Sequence, residues 1–168
     1  MALNCHRLVK FVGTSLLTLL CTSFLTGCGG SDTNSGSALN SCTLEGTVIF
    51  WQGNFMPGVA GSPSPTSGTK TPVAREVFIF EPTAINEVTQ LQGAFYSDIQ
   101  TKLITTTMSD DNGHFSVNLP AGQYSLFVKE NDLYYSNLVD KYFTINPVNI
   151  ISGATTTVEF DIIYQAYF

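Results

Sequence analysis

The sequence predicts an all-β fold, a seven-stranded antiparallel β-sandwich, on three observations. Beyond residue 42, apolar and polar residues alternate with a period of two. Turn signals recur at short intervals between the alternating runs. No long stripe of helical period competes with them. Alternation points to sandwich strands because successive side chains leave opposite faces of a sheet, one toward a core and one toward water.

An export signal precedes the sandwich. Arg7 and Lys10 form a small positive region, and the run from Phe11 to Leu25 carries no charge. A bilayer-spanning helix needs about 20 apolar residues. This run is shorter and is interrupted by Thr14, Ser15, Thr18, Thr22 and Ser23, so residues 1–27 read as a signal peptide. Leu25-Thr26-Gly27-Cys28 resembles the lipobox, in which the cysteine thiol receives diacylglycerol before cleavage. That resemblance implies lipid attachment at Cys28 and a membrane partner reached through the lipid. Gly29, in place of Asp, resembles the pattern of lipoproteins passed to the outer membrane. Residues 28–41 are mostly Gly, Ser, Asn and Thr with almost nothing to bury, and read as a flexible tether.

Residues 42–168 read as one domain. Strands are expected over Leu44–Trp51, Arg75–Glu81, Lys102–Met108, His114–Leu119, Gln123–Lys129, Tyr142–Val148 and Thr155–Tyr164. In the last of these, Val158, Phe160, Ile162 and Tyr164 alternate with Glu159, Asp161 and Ile163. Residues 57–72, rich in Gly, Pro, Ser and Thr, read as a long loop. Residues 82–100 read as a second insertion, with one helical turn around Asn86 to Leu91. Asp110-Asp111-Asn112-Gly113 and Pro120-Ala121-Gly122 suit tight hairpin turns.

The stretch Ser109-Asp110-Asp111-Asn112-Gly113-His114-Phe115-Ser116-Val117, followed by Leu119-Pro120-Ala121-Gly122-Gln123-Tyr124-Ser125-Leu126, resembles the carboxypeptidase regulatory-like domain. Gly46-Thr47-Val48 resembles that family's opening strand. Trp51-Gln52-Gly53-Asn54-Phe55-Met56-Pro57-Gly58 is similar to a loop of Bacteroidota envelope lipoproteins that carry the domain. The resemblance covers residues 43 to 164. It implies a prealbumin-like (transthyretin-like) sandwich and a non-catalytic accessory, folding or adhesive role.

Composition excludes several classes of function. From Cys28 onward the chain has five basic and thirteen acidic residues, a charge of −8, which repels phosphate backbones and argues against a nucleic-acid partner. No basic run serves for docking on anionic lipid. Of the four cysteines, Cys5 and Cys21 fall in the signal, leaving Cys42 beside Cys28, and Cys42 is expected as a buried small hydrophobe. His114 is the one histidine beyond the signal, so a histidine-rich zinc site cannot be assembled in one chain, and no cofactor is expected. The hydroxyisourate hydrolases of the transthyretin-like group end in Tyr-Arg-Gly-Ser, whereas this chain ends Tyr164-Gln165-Ala166-Tyr167-Phe168. Strands Leu44–Trp51 and Thr155–Tyr164 also lack the lysine and asparagine of an isopeptide crosslink.

Two groups remain as candidate ligand-binding residues. Asp110 and Asp111 sit in a turn too short to supply the six or more oxygens of a calcium site alone. Trp51, Phe55, Tyr134 and Tyr135 are aromatics outside clean alternation, with Asp132 beside the last two. If every strand runs antiparallel to the last, all these loops lie at the end of the sandwich opposite the tether's entry. Such a distal face suits an envelope protein partner or a glycan, with Trp51, Tyr134 and Tyr135 stacking on sugar rings and Asp132 holding hydroxyls. A hydrolase built on Asp110 and Asp132 has no residue pattern that sets their spacing.

Overall fold

A computed structural model describes residues 42–57 and 68–168. The signal peptide, Cys28 and the tether lie outside the described residues, as do residues 58–67 of the first loop. The chain forms a β-sandwich of eleven strands: β1 Cys42–Asn54, β2 Thr69–Pro72, β3 Glu76–Phe80, β4 Val88–Gln92, β5 Phe95–Ile99, β6 Leu103–Met108, β7 His114–Leu119, β8 Gly122–Glu130, β9 Leu133–Tyr135, β10 Pro147–Ile150 and β11 Thr155–Tyr167.

The first sheet is organised on β1. One edge of β1 carries β7 along Cys42–Thr47 and then β2 along Ile49–Gln52. Its other edge carries β11, and this pair is parallel, which corrects the expectation of antiparallel neighbours throughout. The first and last strands therefore enter the sheet from the same end. The second sheet runs β4-β5-β9-β8-β3-β6, with β10 on β8 beyond β9.

Leu44, Val48, Val77, Ile79, Leu126, Val128, Phe160 and Ile162 alternate along their strands and meet between the sheets as the main core. Cys42 is buried in the same cluster. Gly46 is glycine for a steric reason: a Cβ there would stand 2.4 Å from the ring of Phe115 and 2.9 Å from Val158. The opposite faces of β3 and β8 are buried too. Phe78, Phe80 and Phe127 pack with Tyr96 and Ile145 in a second cluster, so these strands read as continuous apolar runs.

Residues 82–100 are more ordered than a loop. A single 3-10 turn, Ile85–Glu87, replaces the expected helical turn, and Glu87 Oε2 accepts the Ala84 N–H at 2.8 Å. The hairpin β4–β5 follows, turning at Gly93 with φ +56°. The strand expected over Tyr142–Val148 begins only at Pro147. Asp140 Oδ1 accepts the N–H groups of Tyr142 and Thr144, at 2.9 and 2.8 Å, and that local turn wins over strand propensity.

Both predicted hairpins form turns but not hairpins. β6 and β8 belong to the second sheet and β7 to the first, so the 109–113 and 120–121 connections pass from sheet to sheet. Tyr124 closes the second by donating its hydroxyl to the Pro120 carbonyl at 2.9 Å. A true two-residue hairpin links β8 to β9 through Asn131 and Asp132, both with positive φ (51° and 64°), the geometry of a type I′ turn.

Candidate functional site

The outward row of β1 ends in Trp51, opposite Lys70 of β2 and one register step beyond the Ile49–Asp161 pair. These neighbours fix the indole on two sides. Its N–H donates to Asp161 Oδ1 at 2.8 Å, and the Lys70 ammonium sits 3.3 Å from the ring centroid, a cation–π geometry. Phe55 packs at 5.0 Å from Trp51 and is held between strand ends, because its N–H donates to the Tyr167 carbonyl at 2.8 Å. Across from it, Gly68 leaves room for the ring: a Cβ there would lie 2.6 Å from Phe55.

Phe168, the residue after β11, completes the patch. Phe168 is 63% exposed, stacks on Phe55 at 5.8 Å and approaches Trp51 at 6.0 Å. Trp51 and Phe55 are ligand-face candidates in the sequence, whereas Phe168, Lys70 and Asp161 are not. Phe168 is reachable only by knowing that β11 runs parallel to β1, which sets residues 165–167 beside residues 52–54. At about 3.3 Å per residue, Trp51 lies roughly 30 Å along β1 from Cys42.

Asp110 is occupied by its own turn. Its Oδ1 accepts the N–H groups of Asn112 and His114, at 2.9 and 2.8 Å, while Gly113 donates to its carbonyl and takes φ +76°. Asp111 is exposed at the turn tip. Asp132 projects into solvent from the β8–β9 hairpin, 3.8 Å from Lys129. The described residues contain no group of three or more His, Cys, Asp or Glu placed to hold a metal ion.

The structure corrects the expectation that Tyr134 and Tyr135 are exposed at a ligand face. Both belong to β9, where adjacent side chains leave opposite faces of the sheet: Tyr135 enters the main core, and Tyr134, half-buried, packs on the second cluster. Tyr134 packs edge-on against Phe78, Phe80 and Phe127. Tyr135 is 1% exposed, and its hydroxyl accepts the Ile163 N–H at 3.0 Å, tying β9 to the bulge in β11. Burial pushes its phenol above the ordinary tyrosine value.

His114 lines a groove of about 530 Å³ with Glu45, Thr107, Ser116 and Thr157. Its Nδ1 lies 3.1 Å from Thr47 Oγ1 across the β1–β7 pair. This is an exposed cross-strand contact, and activation of a hydroxyl nucleophile would also require a third group to orient the base. No helix among the described residues is long and apolar enough to cross a membrane. No protein-family model, curated protein or solved structure matches this chain.

Proposed function

We propose that the chain is a non-enzymatic lipoprotein of the bacterial cell envelope, anchored in the outer membrane through lipid on Cys28 and acting as an accessory or interaction module. The observation that carries this reading is the patch of Trp51, Phe55 and Phe168, flanked by Lys70 and Asp161, at the far end of the strand that the tether would enter. Two half-buried aromatics and the exposed Phe168, framed by one cation and one carboxylate, suit a contact surface better than a reaction centre. The lipobox over Leu25-Thr26-Gly27-Cys28 supplies the address, and the resemblance to carboxypeptidase regulatory-like domains agrees with an accessory role.

Metabolic labelling with palmitate tests the anchor. The expected result is a labelled protein that loses the label in Cys28→Ser, and processing without any lipid would overturn it. Capture of partners from envelope extracts by intact protein and by Trp51→Ala tests the contact surface. A partner held equally by both would place the interaction elsewhere.

A second reading, a carbohydrate-binding surface protein, is favoured by the same patch, because an indole and two phenyl rings offer stacking surface beside a hydrogen-bonding carboxylate. Tyr135 is buried in the core and Tyr134 packs on Phe78, Phe80 and Phe127, so the stacking surface is that of Trp51, Phe55 and Phe168. A glycan array with no hit, or with hits unchanged in Trp51→Ala, would rule it out.

A further inference from the structure

β11 is thirteen residues long, and among the described residues it is paired on one side only, with β1. Long open edges are templates for strand pairing, and proteins commonly block them with lysine, proline or a covering segment. The stretch Thr155–Ile162 has neither lysine nor proline. Its outward side chains include Glu159 and Asp161, and no basic residue offsets them within the strand.

The edge continues into a cleft. At its bulge, Ile163 and Tyr164 form one wall of an apolar cavity of about 420 Å³, opposite Gly93, Ala94 and Phe95 of the β4–β5 hairpin, with Tyr135 also lining it. The cleft lies where the β11 side of one sheet faces the β4–β5 side of the other. Strand addition uses this combination: edge hydrogen bonds supply affinity, and a pocket for alternate side chains supplies selectivity.

We propose that β11 and this cleft bind an extended segment of a partner protein as an added strand, a site that adjoins the Trp51 patch at Asp161 and extends away from it to the cleft. The occupant's chemistry follows from the edge. The row bearing Phe160 and Ile162 faces the core and leads to the cleft, while Glu159 faces outward. The segment therefore carries an apolar residue on one face and a lysine or arginine on the other, an odd number of positions apart. A second copy of this chain fits poorly, because antiparallel pairing centred on Phe160 would set Glu159 against Asp161 in both halves.

The test uses the full-length chain and two fluorescent octapeptides of one composition, Thr-Phe-Thr-Val-Lys-Thr-Val-Thr and Thr-Phe-Thr-Lys-Val-Thr-Val-Thr. The first places Phe and Lys on opposite faces, the second on the same face. Anisotropy is expected to show the first binding roughly tenfold more tightly, with slowed exchange at the edge-facing amides of Thr157, Glu159 and Asp161, which alternate with those bonded to β1. Ala94→Trp, which fills the cleft, should abolish the preference. Glu159→Lys, at an exposed position, should transfer it to the peptide with Glu in place of Lys.

Equal affinity for both peptides, no binding of either, or insensitivity to Ala94→Trp would overturn the proposal. So would edge-facing amides of Thr157, Glu159 and Asp161 already protected in the free chain, whether by self-association or by the chain's own residues 29–41. Loss of partner capture in Trp51→Ala leaves these peptide readouts unaffected, so the two readings fail separately.

Discussion

The hydroxyl of Tyr164 donates to Glu130 Oε2 at 2.8 Å, and the other oxygen of that carboxylate accepts from the Arg75 guanidinium Nε. Tyr164 belongs to the β1–β11 sheet and Glu130 to the last position of β8, so one acid joins the two layers. Only 4% of the Glu130 side chain is exposed, against 34% for Arg75. Both oxygens of this buried carboxylate therefore have donors, which offsets the cost of taking it out of water.

Removing either partner exposes the cost. Arg75→Met leaves a buried carboxylate without its counter-ion, which costs 3 to 5 kcal/mol when both partners are fully buried; with Arg75 one-third exposed, about 2 kcal/mol is expected. Tyr164→Phe removes a hydrogen bond to a charged acceptor and should cost about 1 to 2 kcal/mol. Replacing both ions, as Arg75→Met with Glu130→Leu, should cost less than Arg75→Met alone. Urea midpoints of the set check this order, and Arg75→Met as stable as wild type would refute it.

Alkaline titration gives an independent check on the same contact. Burial raises the phenol of Tyr164 to about 12, reinforced by its hydrogen bond to Glu130 and the charge of that carboxylate. Tyr96, Tyr124 and Tyr135 are also raised by burial. An unfolded tyrosine ionises near 10, so the fold favours the neutral form. The stabilisation is complete below about pH 10 and is lost as pH climbs toward 12. Thermal unfolding followed across that window should show falling stability, with a shallower fall in Tyr164→Phe. An identical slope in the variant would assign the effect to other groups.

Strand identity was legible where period two is strict. His114–Leu119 was read from its alternation and forms β7 over the same residues. Pairing was not legible, because alternation says which face a residue takes and nothing about which strand lies beside it. The turns at Asn112-Gly113 and Pro120-Ala121-Gly122 were therefore recognised as turns while their crossing between sheets was missed. Asn131-Asp132 was overlooked as a hairpin because it lacks the glycine that usually marks one, and with it the packing of Tyr134 and the burial of Tyr135. Two of the five residues of the patch were legible: Trp51 and Phe55 stood out locally, whereas Lys70, Asp161 and Phe168 join them through long-range pairing.

Gly46 offers a test of the first sheet's packing. A methyl at this position would meet the edge of the Phe115 ring at 2.4 Å, in a core where Val158 also leaves no slack. Gly46→Ala is expected to destabilise by about 1 to 3 kcal/mol despite alanine's lower unfolded-state entropy. Pairing it with Phe115→Leu, which frees space at the contact, should recover part of the loss in a double-mutant cycle. Strictly additive losses would show that the ring is not what excludes the side chain.

Trp51 is the single tryptophan of the chain, so intrinsic fluorescence reports on the patch alone. The Lys70 ammonium at 3.3 Å covers one face of the indole, and any ring stacking on that face must displace it. Lys70→Ala should therefore raise quenching of Trp51 emission by acrylamide while lowering stability by no more than about 1 kcal/mol, the range of an exposed cation–π pair. Asp161→Ala should act differently, because it removes the acceptor of the indole N–H rather than the cover of the ring: stability falls by about 1 kcal/mol and the emission loses its hydrogen-bonded character. If the patch stacks sugars, oligosaccharides that quench wild-type emission weakly should quench Lys70→Ala strongly, since the competing cation is gone. Unchanged acrylamide quenching in Lys70→Ala would mean that the lysine does not cover the ring in solution, and that the indole face is open to a ligand without any displacement.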